Sequence, residues 1–225
     1  MELEINIPSS LNEITLGQYQ EFVRITKNDD SDDVFINHKL IQIFCGVELG
    51  MVSKMRQRDI NEIVETVNNL FKSAPPLKMR FEFKGKEFGL IPNLDDMSAG
   101  EYMDLDGYID NWDQMHNAMA VLFRPITNKF KHLYQIEEYK GSSHYADLMK
   151  DLPMDIVLGV HVFFFNLGNE LLKSTMRYSQ QEAEALLTKQ HNLEKGGDGI
   201  NQSMLLRKEM YDDLMKLPSF HLINA

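Results

Sequence analysis

Leu11-Asn12-Glu13-Ile14-Thr15-Leu16-Gly17-Gln18-Tyr19 is a phrase that the chain writes twice. The second copy reads Leu94-Asp95-Asp96-Met97-Ser98-Ala99-Gly100-Glu101-Tyr102, and an Ile-Pro pair precedes each copy, at 7–8 and at 91–92. Both copies predict the start of a helix. Thr15 and Ser98 are hydroxyl N-caps, and Gln18 and Glu101 stand three residues later, which completes a capping box. Ile14 and Met97 precede the caps, and Tyr19 and Tyr102 fall where a hydrophobic staple closes. Gly17 and Gly100 put a poor helix former at the same step, where another backbone could come close. The phrase describes how the chain enters two helices and holds no reactive constellation.

Outward from the first copy, residues 2–7 alternate polar and apolar and read as a short strand ended by Pro8. The helix after Thr15 directs Tyr19, Phe22, Val23 and Ile25 to a core. Residues 28–33 form a polar loop. A second helix carries Ile36, Leu40, Ile43 and Phe44 on one face and stops at Gly46. Asp59 with Glu62 suggests another capping box. Behind it Ile60, Ile63, Val64, Val67, Leu70 and Phe71 keep helical spacing up to Pro75-Pro76.

Outward from the second copy, residues 79–83 and 87–91 flank Lys84-Gly85-Lys86 and predict a β-hairpin. The helix after Ser98 is expected to be long, since Tyr102, Leu105, Ile109, Trp112, Met115, Met119 and Leu122 recur every three or four residues up to Arg124-Pro125. Residues 130–140 fit either a short helix or an irregular strand. After Pro153 a helix apolar on most sides follows: Val157, Val160, Phe164, Leu167 and Leu171 make the stripe, and Ile156, Phe163 and Phe165 thicken it. That reads as a buried central element. Ser179 with Glu182 would restart or redirect it.

The fold class expected is mainly α (α+β): a multi-helix domain with a small antiparallel sheet from the N-terminal strand and the hairpin, in two related strand-to-helix units. The body covers residues 1–190, its units about 1–75 and 76–190. A glycine-containing linker occupies 191–202. An amphipathic arm with Leu206, Met210, Leu214 and Leu217 occupies 203–225, and either folds back or docks on a partner.

The chain has 225 residues, a formal charge of -11 and 43% hydrophobic residues. That composition builds a core and disfavours broad contact with a phosphate backbone. Cys45, the one cysteine, excludes an intrachain disulfide and reads as a small buried hydrophobe. The acidic N-terminus is not a secretory signal. The apolar run 156–172 carries His161, Asn166, Asn169 and Glu170 and falls short of a membrane span.

The acidic series Glu101, Asp104, Asp106, Asp110 and Asp113 is the best catalytic or metal candidate. Counted as a calcium loop from Asp104, it has Ile109 where glycine is needed and Met115 where a glutamate is needed. A solvated helix face is the expectation. The polar loop 28–33 lacks the same two features. The histidines at 38, 116, 132, 144, 161, 191 and 221 are dispersed and match no metal motif. The glycines of 195–199 neither follow a strand nor open a helix, so no phosphate cradle is expected. Arg124-Pro125-Ile126-Thr127 reads as a helix stop and turn. No catalytic residue, cofactor or metal is expected.

Three stretches carry a family likeness: Phe88 to Asp106, Ala118 to Thr127 (Ala-Met-Ala-Val-Leu-Phe-Arg-Pro-Ile-Thr) and Val162 to Leu172 (Val-Phe-Phe-Phe-Asn-Leu-Gly-Asn-Glu-Leu-Leu). Over about residues 1–178 the chain resembles virion-associated proteins, cargo or structural, of the crAss-like tailed bacteriophages of gut Bacteroidota. The resemblance implies a non-enzymatic particle component, packed inside capsid or tail and ejected with the genome. Its partners would be other phage structural proteins (portal, tail or capsid) and copies of itself, with no sequence-specific nucleic acid and no membrane. It would be made in the host cytoplasm and reside in the virion. The alternative is a tail-assembly chaperone or adaptor that acts in the infected cell.

Overall fold

The computed structural model describes residues 5–27, 33–131 and 133–190, with side chains described up to 178. The chain divides into two compact units, Met1–Val162 and Phe163–Ala225.

In the first unit, α1 (Leu16–Thr26), α2 (Asp33–Cys45), α3 (Leu49–Val52) and α4 (Gln57–Phe71) come first in the chain. Their faces follow the apolar spacing: Phe22, Leu40, Ile41, Ile43, Phe44, Ile60, Ile63, Val67 and Phe71 are buried. Phe44 joins the helices, with ring centroids 5.3 Å from Phe22 and 5.8 Å from Phe71. Gly46 ends α2 at φ +67°, the left-handed conformation that glycine takes without strain. The capping box expected at Asp59 is not formed: Arg56 is the N-cap of α4, and its side chain makes no cap hydrogen bond. Asp33, placed in a loop by its polar neighbours, opens α2; residues 28–32 lie outside the described residues.

The mainly α class with a small antiparallel sheet holds, but the sheet is assembled differently. Strands β1 (Arg80–Phe83) and β2 (Lys86–Leu90) form the expected hairpin, with positive φ at Lys84 and Gly85. The other two strands are β3 (Phe123–Phe130) and β4 (Leu133–Ile136), in the order β1-β2-β3-β4. Residues 5–9 pair with no strand, and residues 2–4 of the expected N-terminal strand lie outside the described residues. The place beside β2 is taken by β3, which pairs Leu90 with Phe123 and Phe88 with Pro125. Arg124-Pro125-Ile126-Thr127 is therefore strand, not a turn. The ambiguous stretch 130–140 holds the end of β3, then β4, then an irregular segment at 137–140, with residue 132 outside the described residues.

The long helix expected after Ser98 is two: α5 (Ala99–Tyr108) and α6 (Met115–Leu122). Asn111 breaks it, because its side-chain oxygen accepts from the Asp113 N–H at 3.0 Å and favours a tight turn over helix. The apolar spacing continued through the break, so periodicity alone read straight across it. Helix α6 is buried from Ala118 to Leu122 and runs directly into buried Phe123. Around Phe123 and Phe88 the sheet gathers a second aromatic cluster with Phe81, Phe83 and Tyr145. After α7 (Ala146–Met149), α8 (Met154–Gln190) begins with Met154, Ile156, Val157, Leu158 and Val160 all buried. Burying a chain's worth of such side chains, roughly 1.5–3 kcal/mol each, is what holds this unit together.

In the second unit the helix does not stay buried as its apolar stripe predicts. Phe165 and Leu171 are exposed, as are Met176 and Tyr178. Backbone helix continues through Ser179 to Gln190, so no restart occurs there. Residues 154–178 of α8 are long and apolar enough to cross a membrane by length and composition, which the reading of 156–172 did not anticipate. Residues 154–160, however, belong to the protein core of the first unit. The remaining 161–178 rise about 27 Å, close to the ~30 Å of a hydrocarbon layer. The expected linker and arm at 191–225, with Leu206, Met210, Leu214 and Leu217, lie outside the described residues.

Candidate functional site

Both repeated phrases form capping boxes. Thr15 Oγ1 accepts from the Gln18 N–H at 3.2 Å while Gln18 Oε1 accepts from the Thr15 N–H at 2.9 Å. Ser98 Oγ accepts from the Glu101 N–H at 3.3 Å while Glu101 Oε2 accepts from the Ser98 N–H at 2.7 Å. Beyond the caps the two elbows diverge.

The first elbow is filled. A strap formed by residues 150–154 lies antiparallel to it: the Leu16 N–H donates to the Leu152 carbonyl at 2.8 Å, the Gly17 N–H to Lys150 at 2.7 Å, and the Met154 N–H to Ile14 at 2.9 Å. These bonds satisfy N–H groups that a helix start leaves without partners. A β-carbon on Gly17 would stand 3.2 Å from the Lys150 carbonyl oxygen, so the glycine does make room for another backbone. Ile14 and Leu16 are fully buried. Tyr19 packs between Phe71 and Trp112, 5.4 and 4.7 Å between centroids, and burial pushes its hydroxyl up to about 12.

Behind Tyr19 lies a small polar network. Gln20, buried, donates from Nε2 to the Trp112 carbonyl at 2.6 Å and lies 3.0 Å from His116 Nδ1. The Trp112 ring faces His161 at 5.2 Å. Burial lowers both imidazoles below the ordinary histidine range; Lys150 and Arg24 add to the effect at His116, Asp147 opposes it, and Asp110 opposes it at His161.

The second elbow is open. Ser98, Ala99 and Gly100 are exposed, and nothing lies within 4 Å of where a Gly100 β-carbon would be. Tyr102 is 63% exposed, so the staple expected there does not close. The elbow is anchored instead from beneath, through Glu101. That carboxylate pairs with the Arg124 guanidinium, and both side chains are buried. Arg124 also stacks over the Tyr139 ring at 5.4 Å, and the Tyr139 hydroxyl donates to Asp104. Burial alone would raise the Glu101 carboxyl; the Ser98 hydroxyl and amide and the Arg124 charge outweigh it and hold the group below the ordinary glutamate range. Burial, followed by the Asp104 carboxylate, pushes the Tyr139 hydroxyl upward.

The acidic series is thus not one wet face. Asp106 and Asp110 are exposed, but Glu101 is buried in an ion pair, Asp104 holds Tyr139, and Asp113 binds Lys27 at 2.8 Å. The helix break at Asn111 moves Asp113 onto a different element from Asp104. Among the described residues no three His, Cys, Asp or Glu side chains are grouped to hold a metal ion. Cys45 is half-buried, and burial raises its thiol to about 11, far from a nucleophile's range. The network Glu101–Arg124–Tyr139–Asp104 was not foreseen. Its one sequence signal is a lone arginine at the end of the apolar run 118–123, where a buried charge requires a partner.

Comparison with protein-family models, with curated proteins and with solved structures returns no match.

Proposed function

We propose that the chain is a non-enzymatic component of a tailed-phage particle, an internal cargo or structural protein held by protein contacts. The observation that carries this reading is the disposition of the side chains. The polar groups that converge (Glu101 with Arg124, Gln20 with His116, Tyr139 with Asp104) are engaged with one another, while large apolar groups remain outside at Tyr102, Met103, Phe165 and Leu171. Converging groups that already satisfy one another leave little for a substrate, and exposed apolar groups suit a protein partner. The likeness of residues 88–106, 118–127 and 162–172 to virion-associated proteins of crAss-like phages supports the same assignment. A charge of -11 would keep such a protein from adhering to packaged DNA.

A second reading is an assembly adaptor or tail chaperone that remains in the infected cell. The apolar side chains left exposed on α8 favour it, since a helix face of this kind fits the groove of a partner. Quantitative mass spectrometry of purified virions and of infected-cell lysate separates the two. Recovery in particles at structural copy number supports the first. Recovery only in the lysate, in complex with tail proteins, supports the second. Recovery in neither, with the chain expressed, removes both.

A further inference from the structure

The strap that fills the first elbow is itself written twice. It reads Tyr145-Ala-Asp147-Leu148-Met149-Lys150-Asp151-Leu152-Pro153, and near the end of the chain Tyr211-Asp-Asp213-Leu214-Met215-Lys216-Leu217-Pro218 repeats it with the residue corresponding to Asp151 missing. The chain therefore carries two elbows and two straps, and one elbow is joined to one strap. We propose that the second strap, residues 211–218, docks on the second elbow of another copy of this chain. The inference stands apart from the phage reading.

The first joint defines what the second elbow would hold. There, two helix-start N–H groups, at Leu16 and Gly17, donate to two carbonyls two residues apart, Leu152 and Lys150, and the first of these precedes a proline. The corresponding groups of the second elbow are the Ala99 and Gly100 N–H, which make no hydrogen bond among the described residues. In the second strap the carbonyls at the same spacing, with the same proline after them, are Leu217 and Met215, so the missing residue does not remove the pairing. Strap residues Met149 and Leu152 are fully buried in the first joint. Met215 and Leu217 would cover Tyr102 and Met103, which stand 63% and 72% exposed beside the elbow. Charge agrees as well: Lys216 would face exposed Asp95 and Asp96. Each copy would offer its second elbow to one neighbour and its second strap to another, a heterologous contact that joins copies head to tail.

The test uses the full chain in a Cys45→Ala background. One preparation carries Met103→Cys and the other Lys216→Cys; they are mixed and treated with a short bismaleimide. We expect a cross-linked pair between the two preparations, at least tenfold more abundant than with Glu21→Cys replacing Met103→Cys, and lost when Leu217→Asp is added. Because a cysteine variant could misfold, a labelled peptide of residues 209–220 is also titrated into the unaltered chain. Saturable binding that the Leu217→Asp peptide lacks supports the proposal. A chain carrying both cysteines that links only within itself at high dilution, or no link above the control together with no peptide binding, overturns it.

Discussion

The two elbows begin with the same words and differ in what stands against them. Thr15 and Ser98 cap their helices in the same way, yet Leu16 is sealed under a strap while Ala99 is bare. The first elbow is held from outside by backbone, and the second from beneath by a buried ion pair. A local signal can thus fix how a chain enters a helix and leave undecided what packs on that entry. The anchoring third residue differs accordingly. Gln18 is neutral and its Nε2 donates to the Ile43 carbonyl at 2.9 Å, whereas Glu101 is charged and needs a charged partner.

The largest effect expected follows from that difference. Arg124→Ala leaves Glu101 buried and unpaired, which costs about 3–5 kcal/mol. Gln18→Ala removes neutral hydrogen bonds of about 1 kcal/mol each. Urea unfolding of the two variants measures both. Equal losses would mean that the two elbows are anchored by comparable forces and would break the comparison.

Next in size is Gly17→Val. Its β-carbon meets a carbonyl that is already hydrogen-bonded to the same residue, so the strap must shift, at a cost of about 1–3 kcal/mol. The loss should appear in urea unfolding together with faster amide exchange at Leu16, whose N–H bonds the strap. Unchanged exchange there would show that the strap accommodates the side chain without yielding.

Acid separates the elbows without any substitution. His116 and His161, near the first, have lowered pKa values in the folded chain, so the unfolded chain takes up protons first as pH falls. Their contribution to stability is complete above about pH 6.5 and is lost as pH falls through their lowered folded values. Glu101 is also lowered, but from 4.5, so the second elbow keeps its ion pair until pH falls below the ordinary glutamate range. Tryptophan fluorescence reports on Trp112, which packs on Tyr19 and His161. Its signal should change as pH falls below about 6.5, while a probe of the sheet changes only at lower pH. A single transition below pH 4.5 would deny the histidines that role.

What could be read from the residues follows the range of each interaction. The caps at Thr15 and Ser98, the 80–90 hairpin and the faces of α2 and α4 depend on neighbours within a turn, and the sequence states them openly. Alternation at Ile5 and Ile7 says nothing about which strand reaches β2 first; β3, emerging straight from α6, takes that place. A tight turn at Asn111 preserves the apolar spacing, so periodicity predicts one helix where the chain forms two. The proline after Arg124 signals a stop, and the partner that shows its real role, Glu101, lies 23 residues earlier. Burial along α8 ends after Val160, although the stripe of apolar residues continues past it.

The smallest change is the most discriminating. Gly100 has open space around it and an ordinary helical backbone, so Gly100→Ala should stabilise the chain by about 0.4–1 kcal/mol, by restricting the unfolded state. At the first elbow the same β-carbon would press on a docked carbonyl. If a second strap docks at Gly100 in the same manner, the alanine that raises the melting temperature should also weaken the link between Met103→Cys and Lys216→Cys chains. Stability and association would then move in opposite directions under one methyl group. A gain in stability with undiminished cross-linking would place the strap elsewhere, and a loss of stability in the isolated chain would mean that the second elbow is not open.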